Sequence, residues 1–480
     1  MQDRFSAWIP LNRSADTDNE YNLKGLRTYS RDLERTAPIA TGAIETRTSY
    51  VIGEGLKLQS RINSIELGLT AEEASAWQRR TESRFEMWAS NALSSVTEEF
   101  DFYESQDIAY RGRILSGDSF IVLARRQANN WPFRLAIQLI EADKVCNPDG
   151  KPNTETMHDG IEKDASGKPV RAWISSHFPN QAYYGKAPTW QSVDFVSGTG
   201  QRNLIHVKRM LRPNQTRGIP ELAPIIATIK QLDRFSNAEV DAAVNSAAIA
   251  MFTMMDQEAF ESLYTSSERD LYVAKANEWD KTLNSGKSVN LLPGESISVP
   301  SLGRPNPNYG PFFDAFMNLV GIGLNLPKEV LMKKFDSSYS ASRAALMDAW
   351  RTFMIERSRW ARRVCQVIYE EWLADAVALG IINAPGFFAD PFVRYAWSGS
   401  NWSGDGPGSL DPLLEARADT ERINNGTTTR AKACISFDGS DWEDVHRQLA
   451  IEESMREADG LNHHDSPQPQ TDNPPTNLNQ

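Results

Sequence analysis

The chemistry that this sequence comes nearest to is the binding of a phosphate or a metal ion, through two short patterns. Gly286-Lys287-Ser288 matches the end of a phosphate-binding loop, but Lys281 stands where that loop requires a glycine. Asp16, Asp18 and Glu20 alternate as calcium ligands do, without the glycine and the distant glutamate that complete a calcium loop. Because both patterns are incomplete, we predict neither a nucleotide site nor a metal site.

The histidines and cysteines form no arrangement typical of catalysis. His463 and His464 stand in a polar tail, where they would bind a metal only adventitiously, and His206 follows an apolar strand, where a structural role is expected. The sequence has three cysteines: Cys146, Cys365 and Cys434. They are far apart and lack metal-ligand spacing, which favours buried free thiols in a reducing cytoplasm. Since no HExxH, GxSxG or paired-cysteine motif occurs, we expect no cofactor and no enzymatic activity.

The composition is that of an ordinary soluble protein with an excess of acidic residues. Of 480 residues, 40% are hydrophobic and 24% are charged, and the formal net charge is −12. The length predicts two or three domains, and neither a membrane-spanning run nor a signal-peptide pattern is present. Proteins that grip duplex DNA are usually basic, because counterion release drives the binding. The charge therefore excludes a simple high-affinity DNA-binding module; the chain either ignores nucleic acid or lets it slide past.

The first half of the chain is predicted to alternate helices and strands. A helix opens at Thr70, where the hydroxyl and Glu73 form a capping box, and Trp77, Phe85 and Trp88 share its core-facing side. The other predicted elements are a helix at Leu26–Arg47, extended segments at Tyr50–Gly53 and Leu56–Leu58, hairpins at 119–124 with 133–140 and at 160–162 with 169–174, and a strand at 205–207.

The second half is predicted to contain two long helices. One runs over 219–249 from Pro220, and small residues crowd its end at 242–250, which suits either close packing against neighbouring helices or a simple alanine-rich helix. The other runs from a cap at Ser342 to Leu379 with no proline or glycine, a span of about 57 Å. The remaining expectations are a helical piece at 266–282, strands at 288–292 and 296–299, a helix at 312–324, a short helix from Pro327, and C-terminal helices separated by Gly426 and opened by Ser440 with Glu443.

Five stretches occur in an order that resembles the portal proteins of lambda-type tailed bacteriophages. The most specific holds LPKEVL, YSASRAALMDAW and RTFMIERSRWARRVCQVIYEEWL, within 326–373. The others are RDLERTAPIATGAIETRTSYVIGEGLKL (31–58), the GIE and PVRAW pair (160–173), RPNQTRGIP with LAPII (212–226), and the stretch from AWSGSNWSGDGPG to HRQLAIEE (396–453). The resemblance covers about residues 25–455.

The resemblance implies an α+β, mainly helical portal fold assembled as a ring. Its regions, carried onto this sequence, are a flexible N-terminal arm (1–24), an α/β wing (25–218), a stem helix (219–249), a clip (250–307), a second stem helix (308–325), a tunnel-loop region (326–341), a long kinked helix with the wing return (342–408), a crown (409–458) and a disordered tail (459–480).

The resemblance also implies a function and a set of partners. The family forms a dodecameric ring at the unique capsid vertex, the head–tail connector, through which the genome is packaged, retained and ejected. Expected partners are other copies of the chain, the terminase large subunit, the major capsid protein and scaffold, a head-completion adaptor, and double-stranded DNA bound without sequence preference. The portal itself does not hydrolyse ATP, has no membrane contact, and is found in the virion and, during assembly, in the host cytoplasm.

Three groups of residues are the candidate functional sites. Lys333 and Lys334, the only adjacent lysines, begin a polar run that faces the channel in the family; a solvated loop between helices is the alternative. The DNA-channel candidates are Lys333, Lys334, Ser337, Ser338, Tyr339 and Arg343. The subunit-contact candidates are Ala243, Ala247 and Met251, and the terminase and adaptor candidates in the clip are Asp256, Gln257, Glu258 and Glu268.

Two other functions fit a chain of this composition. The first is a capsid-associated nuclease or another phage enzyme, which magnesium-dependent cleavage of a plasmid would reveal. The second is a monomeric host adaptor, which light scattering would reveal as a single chain of 53.8 kDa.

Overall fold

A computed structural model of the chain describes residues 12–178, 187–248, 251–253, 257–276, 288–290, 306–335, 338–406 and 412–459. Within these ranges the fold mixes helices and sheets. The helices are α1 (Ala15–Glu20), α2 (Leu23–Thr36), α3 (Pro38–Val51), α4 (Ser64–Leu67), α5 (Ala71–Ala89), α6 (Phe102–Ser116), α7 (Ile226–Ala248), α8 (Gln257–Leu263), α9 (Ser266–Ala276), α10 (Tyr309–Leu324), α11 (Lys328–Met332), α12 (Tyr339–Trp360), α13 (Gln366–Ala378), α14 (Pro391–Trp397), α15 (Pro412–Asn424), α16 (Arg430–Phe437) and α17 (Trp442–Ala458).

The strands form four small sheets. They are β1 (Lys57–Ser60), β2 (Asp118–Arg125), β3 (Leu135–Ile140), β4 (Met157–His158), β5 (Ile161–Lys163), β6 (Pro169–Ser175), β7 (Trp190–Asp194), β8 (Leu204–Lys208), β9 (Met251–Thr253), β10 (Ser288–Asn290) and β11 (Ser400–Ser403). The sheet orders are β3-β2-β8, β4-β5-β6-β7, β1-β11 and β10-β9, of which only the last pair is parallel. No helix in the described ranges is both long enough and apolar enough to cross a bilayer.

The single helix predicted at Leu26–Arg47 is wrong, because two helices, α2 and α3, occupy this stretch and together extend from Leu23 to Val51. Tyr50 and Val51 belong to α3, so the extended segment predicted at 50–53 is wrong there. The apolar pattern of this stretch fits a buried helix face equally well, and α3 ends only where Gly53 adopts a φ of +60°. Pro38 separates α3 from α2, since proline is favoured at the first helical position.

The main core packs aromatic residues from helices that are distant in sequence. Phe85 and Trp88 of α5 are buried, as predicted from their spacing, and Trp77 is partly buried beside them. The ring of Phe85 meets Phe102 at 5.6 Å and Trp372 at 5.1 Å between centroids, both edge-to-face. This core joins α5 and α6 to α13, at the far end of the long C-terminal helix.

Both predicted hairpins and the strand at 205–207 are confirmed. In the three-stranded sheet, Phe120 pairs with Ile140 on one side and with His206 on the other. The second hairpin pairs Ile161 with Ala172.

The predicted start of the stem helix at Pro220 is wrong, because α7 begins at Ile226. A 3-10 turn at Ala223–Ile225 precedes it, and the backbone N–H of Glu221 donates to the carbonyl of Ile114 at 2.9 Å. That bond ties this segment to the end of α6. Pro224 has no N–H to give to a helix begun earlier, so regular helix follows it.

The long helix predicted from Ser342 to Leu379 is confirmed as continuous helical backbone from Tyr339 to Ala378. It comprises α12, a π-helical turn at Ala361–Cys365, and α13. Its cap is Ser338 rather than the predicted Ser342, and the side chain of Ser338 accepts a hydrogen bond from the N–H of Ala341 at 3.4 Å. Ser342 is instead buried inside the first turns.

The remaining helices agree with the sequence in type and differ at their ends. Gly426 adopts a φ of +68° just after α15, as a helix stop should, but Asp441 rather than Ser440 caps α17. The helical piece predicted at 266–282 is α9 over its first part, and the strand predicted at 288–292 begins with β10. The strand predicted at 296–299 lies outside the described residues.

The described part of the predicted N-terminal arm is docked on the wing. The carboxylate of Asp16 in α1 accepts a hydrogen bond from the N–H of Thr216 at 2.6 Å. It also forms an ion pair with the ammonium group of Lys163 at 3.0 Å. Arg212 likewise pairs with Asp18 at 2.7 Å. Residues 12–20 are therefore held against the loop that leads into the stem.

Candidate functional site: the lysine turn and its supports

The two adjacent lysines lie in a hydrogen-bonded turn at the end of α11, the lysine turn (Lys333 and Lys334). The N–H of Lys333 donates to the carbonyl of Val330 at 3.4 Å, and that of Lys334 to the carbonyl of Glu329 at 3.0 Å. This pair of bonds is the Schellman motif, which needs a left-handed residue, and Lys333 has a φ of +52°. A lysine in a position that favours glycine costs about 1 kcal/mol. Lys333 therefore adopts a left-handed backbone conformation that is locally unfavourable for a lysine.

The lysine turn projects from a firmly packed support. Val330 and Leu331 of α11 are buried, while Lys333 and Lys334 are exposed. Lys328 at the start of α11 pairs with Asp314 of α10 at 2.8 Å. The turn is thus fixed to α10, and both lysine residues are exposed.

The other predicted channel residues are distributed differently. Ser338 caps α12, and Tyr339 opens that helix, with its side chain outside the described set. Arg343 lies 3.7 Å from the carboxylate of Glu415 on α15, so part of its charge is neutralised by the crown. Ser337 lies outside the described residues.

Arg357 joins α12 to the end of α3. Its Nε donates to the carbonyl of Val51 at 3.0 Å and its Nη2 to that of Tyr50 at 2.8 Å, which satisfies two orphan carbonyls at the end of α3. Nη1 donates to the carbonyl of Asp405 at 2.8 Å. The guanidinium also lies 5.3 Å from the centre of the Trp350 ring. These contacts fix the position of α12, and hence of the segment before it, against α3.

A buried ion-pair network joins the stem root to the same helix. Arg113 of α6 donates to Glu221 at 2.8 Å and to Glu356 of α12 at 2.9 Å, and Arg47 of α3 also pairs with Glu221. Burial alone would raise the pKa of Glu221, but the charges of Arg113 and Arg47 outweigh it and the pKa is lowered. Glu356 also pairs with Arg359 at 3.2 Å, the kind of pairing expected for the arginines of this helix.

A second buried network is centred on Asp118, which is fully buried at the start of β2. Its carboxylate accepts from Arg217 Nε at 2.7 Å, Arg27 Nη2 at 3.0 Å, His206 Nε2 at 3.1 Å and the N–H of Gly218 at 3.1 Å. Burial would raise the pKa of Asp118, yet Arg217 and Arg27 hold it well below its usual range. Burial lowers the pKa of His206 to about 4, which makes it a neutral structural residue, as predicted.

This network explains the RPNQTRGIP stretch as a structural junction. Arg217 is buried and also donates to the carbonyls of Ala142 at 2.7 Å and Val145 at 2.9 Å. A Cβ on Gly218 would lie 1.9 Å from the carbonyl oxygen of Gly117, so the two chain segments meet backbone to backbone. Sequence reasoning missed Asp118. The feature of the sequence that could have indicated its role is that Asp118 is an acidic residue directly before an apolar strand.

The predicted subunit-contact residues lie on or just beyond the end of α7. Ala243 is exposed, between the exposed Val240 and Val244. The side chains of Ala247 and Met251 are outside the described set. α7 pairs with α10 through Phe235 and Phe312, whose ring centroids are 4.2 Å apart.

The predicted clip residues are partly described. Glu258 is exposed on α8, and Gln257 begins that helix. Glu268 accepts hydrogen bonds from the N–H of Thr265 at 2.9 Å and its hydroxyl at 2.7 Å, so it caps α9. Asp256 lies outside the described residues.

Comparison with known proteins gives consistent matches to one family. The model of the phage portal protein, lambda family, matches residues 1–357. The portal protein of Escherichia phage N15 is 23% identical over 480 residues, covering 96% of this chain and 89% of the relative. Portal protein B of Escherichia phage lambda is 22% identical over 479 residues, covering 95% and 89%. A solved neck of an empty gene transfer agent particle covers 86% of this chain and 94% of its own, with 10% identity and a TM-score of 0.47.

Proposed function

The chain belongs to the lambda family of phage portal proteins, and from that membership we propose that copies of it close into a ring, a dodecamer in this family, at one vertex of an icosahedral capsid. The genome enters through the ring during packaging, is retained by it, and leaves through it on ejection. The family match supports this function over that of a capsid-associated nuclease or a monomeric adaptor.

The observation that supports the ring is the exposure of apolar side chains on the surface of the paired helices α7 and α10. Val240 and Val244 of α7 are 60% and 59% exposed, and Ile322 of α10 is 77% exposed. A single chain leaves these side chains in water, whereas a neighbour in a closed ring would cover them. We assign this surface to subunit contact.

The remaining regions follow the order of the family. The stem helices at 219–249 and 308–325 border the channel, the clip at 250–307 extends beyond them, and the wing at 25–218 packs outward. The tunnel-loop region at 326–341 points inward before the long helix and wing return at 342–408, and the crown occupies 409–458. The anchoring of α12 by Arg357 and Arg113 supports one rigid unit of wing and long helix.

The lysine turn is proposed to contact DNA. Two exposed ammonium groups per subunit, repeated around a ring, would touch phosphates without reading bases. The net charge of −12 keeps the rest of the protein from holding DNA tightly, so that the duplex passes.

The partners proposed for the ring follow from its position. The terminase large subunit docks on the clip during packaging, and a head-completion adaptor takes its place later. The major capsid protein and scaffold surround the wing. The assembled protein resides in the virion, after assembly in the host cytoplasm.

Mass photometry of the purified chain tests the ring. Twelve copies of a 53.8 kDa chain give a particle of about 650 kDa. A sample that stays at 53.8 kDa under all conditions of concentration and salt would refute ring formation and favour the adaptor.

A further inference from the structure

A cleft of about 290 Å³ lies between the end of β8, α6 and the π-helical turn of the long helix. It adjoins the ion-pair network of Arg113 and Glu356, and the described residues that line it include none of the predicted channel, subunit-contact or clip residues. Its apolar part is formed by Tyr110 and Trp360, both buried, whose ring centroids are 5.4 Å apart in an edge-to-face arrangement. Met210 and Leu211 stand at its rim, 52% and 60% exposed. We refer to it as the basic cleft.

Cationic side chains outnumber carboxylates in the lining of the basic cleft. Arg113 and Arg359 share the carboxylate of Glu356, and Arg113 also pairs with Glu221. Lys208, Arg209 and Arg363 also line the cleft. Among the described residues, none of these three has a carboxylate within 4.0 Å; the ammonium of Lys208 donates to the carbonyl of Thr216 at 2.7 Å, and Arg363 donates to that of Lys208 at 3.3 Å.

The backbone that lines the cleft includes a π-helical turn. The π-helical turn at Ala361–Cys365 inserts an extra residue into the long helix at the point where Arg363 and Val364 reach the cleft. π-helical turns occur frequently at functional sites. Residues from β8, α6 and the middle of the long helix therefore converge on a concave surface that combines aromatic rings with cationic side chains.

We propose that the basic cleft docks an acidic segment of a separate partner protein, with carboxylates on Arg209 and Arg363 and an apolar side chain against Met210 and Leu211. Charge complementarity favours this occupant, because among the described residues Arg209 and Arg363 have no carboxylate within 4.0 Å and cations outnumber carboxylates in the lining. The apolar rim and the concave shape argue for a peptide over duplex DNA, whose outward surface is a polar sugar–phosphate backbone.

The test uses assembled rings and a fluorescein-labelled peptide built from glutamate and leucine with glycine and serine spacers. Arg209→Ala with Arg363→Ala should weaken binding about tenfold at 0.1 M salt, since each exposed charge contributes up to about 1 kcal/mol. Arg362→Ala is the matched control. It removes a charge from the same turn, and Arg362, which donates to the carbonyl of Ser358, does not line the cleft. Binding by this control should equal that of the wild type.

Four results would overturn the docking proposal. They are absence of peptide binding, equal binding by the double variant, binding by unassembled chains but not by rings, and displacement of the peptide by duplex DNA whose own binding needs the same two arginines. The third result would show that a neighbouring copy covers the cleft, and the fourth that the cleft is a nucleic-acid site. Ring formation is measured separately for each variant, so failure of the docking proposal is distinguishable from failure of the ring.

Discussion

Arg217 donates through Nε to the carboxylate of Asp118 at 2.7 Å, and both side chains are buried where β2 begins, beside the segment that leads into α7. The same carboxylate accepts from Arg27 of α2 and from the N–H of Gly218. One charge thus fixes three chain segments that are far apart in sequence. Arg217 and Gly218 belong to RPNQTRGIP, one of the five stretches that resemble the portal family, and this stretch holds the junction.

Asp118→Asn should destabilise the unassembled chain by about 3–5 kcal/mol, because removal of one buried partner leaves the charges of Arg217 and Arg27 uncompensated. The free energy of unfolding in urea measures the change. Asp149→Asn is a matched control at an exposed aspartate, and should cost less than about 1 kcal/mol. A loss for Asp118→Asn no larger than that of the control would show that the network does not hold the junction.

His206 should make stability depend on pH in weakly acidic solution. Its pKa is lowered from 6.5 to about 4 in the folded chain, so the unfolded chain takes up a proton first as the pH falls. The contribution of His206 to the free energy of unfolding is complete above pH 6.5 and is lost as the pH falls toward 4. In this range the free energy of unfolding changes by up to about 1.4 kcal/mol per pH unit. His206→Gln should remove this part of the slope. Identical slopes in urea unfolding of the two proteins would contradict the assignment.

Removal of the two charges of the lysine turn should leave rings intact and shorten or destabilise the packaged DNA. The left-handed φ of Lys333 makes Lys333→Asn with Lys334→Gln a better variant than the double alanine, because asparagine tolerates that conformation. The defect should be larger at low salt, since exposed charges are screened over about 10 Å at 0.1 M. Lys57→Gln, at an exposed lysine of β1, is the control. Normal genome length and retention at every ionic strength would exclude DNA contact by the turn.

The clip prediction is sharpened by the structure. Deletion across Glu258 to Glu268 should abolish packaging without preventing ring assembly, but Glu268 caps α9, so its loss also unfolds a helix end. Glu258→Lys reverses one exposed charge and leaves that cap intact. We expect this variant to form rings and to package DNA at least about tenfold less efficiently, as charge reversal at a docking surface does. Wild-type packaging by Glu258→Lys would mean that terminase docks elsewhere.

Local patterns were sufficient to predict the hairpins, the capped helix at Thr70 and the uninterrupted rod of α12 and α13. In each case, spacing, turn residues or the absence of proline and glycine decides the structure within a few residues. The start of α7 was not predictable in this way, because it depends on the bond between Glu221 and Ile114, over a hundred residues apart. The extended segment expected at 50–53 failed since short apolar runs fit a buried helix equally well.

The candidate sites also differ in how far the local sequence predicts them. Exposure of the lysine turn and of Glu258 follows from polar sequence, whereas the left-handed backbone of Lys333 depends on how α11 packs. The networks around Asp118 and Arg113 join residues from four or five separate segments. Spacing in the sequence does not predict which of these residues become partners. The basic cleft is also of this kind, because its cations come from β8, the loop after it, α6 and the long helix.

The proposed ring is expected to close through the exposed apolar face of α7. Val244→Glu or Ala243→Glu should prevent ring closure while leaving the chain folded, because a charge would have to be buried against the neighbour. Val170→Glu, at an exposed valine of β6 in the wing, is the control and should assemble normally. Rings of normal size from both α7 variants would show that this face does not meet a neighbour.

A cryo-electron microscopy reconstruction of the purified protein, viewed down its symmetry axis, tests the central claim most directly. We predict a closed twelvefold ring in which α7 and α10 border the channel and the lysine turn of every subunit points into it. An open or monomeric particle, or a ring whose channel is bordered by other elements with the lysine turn on the outer surface, would contradict it.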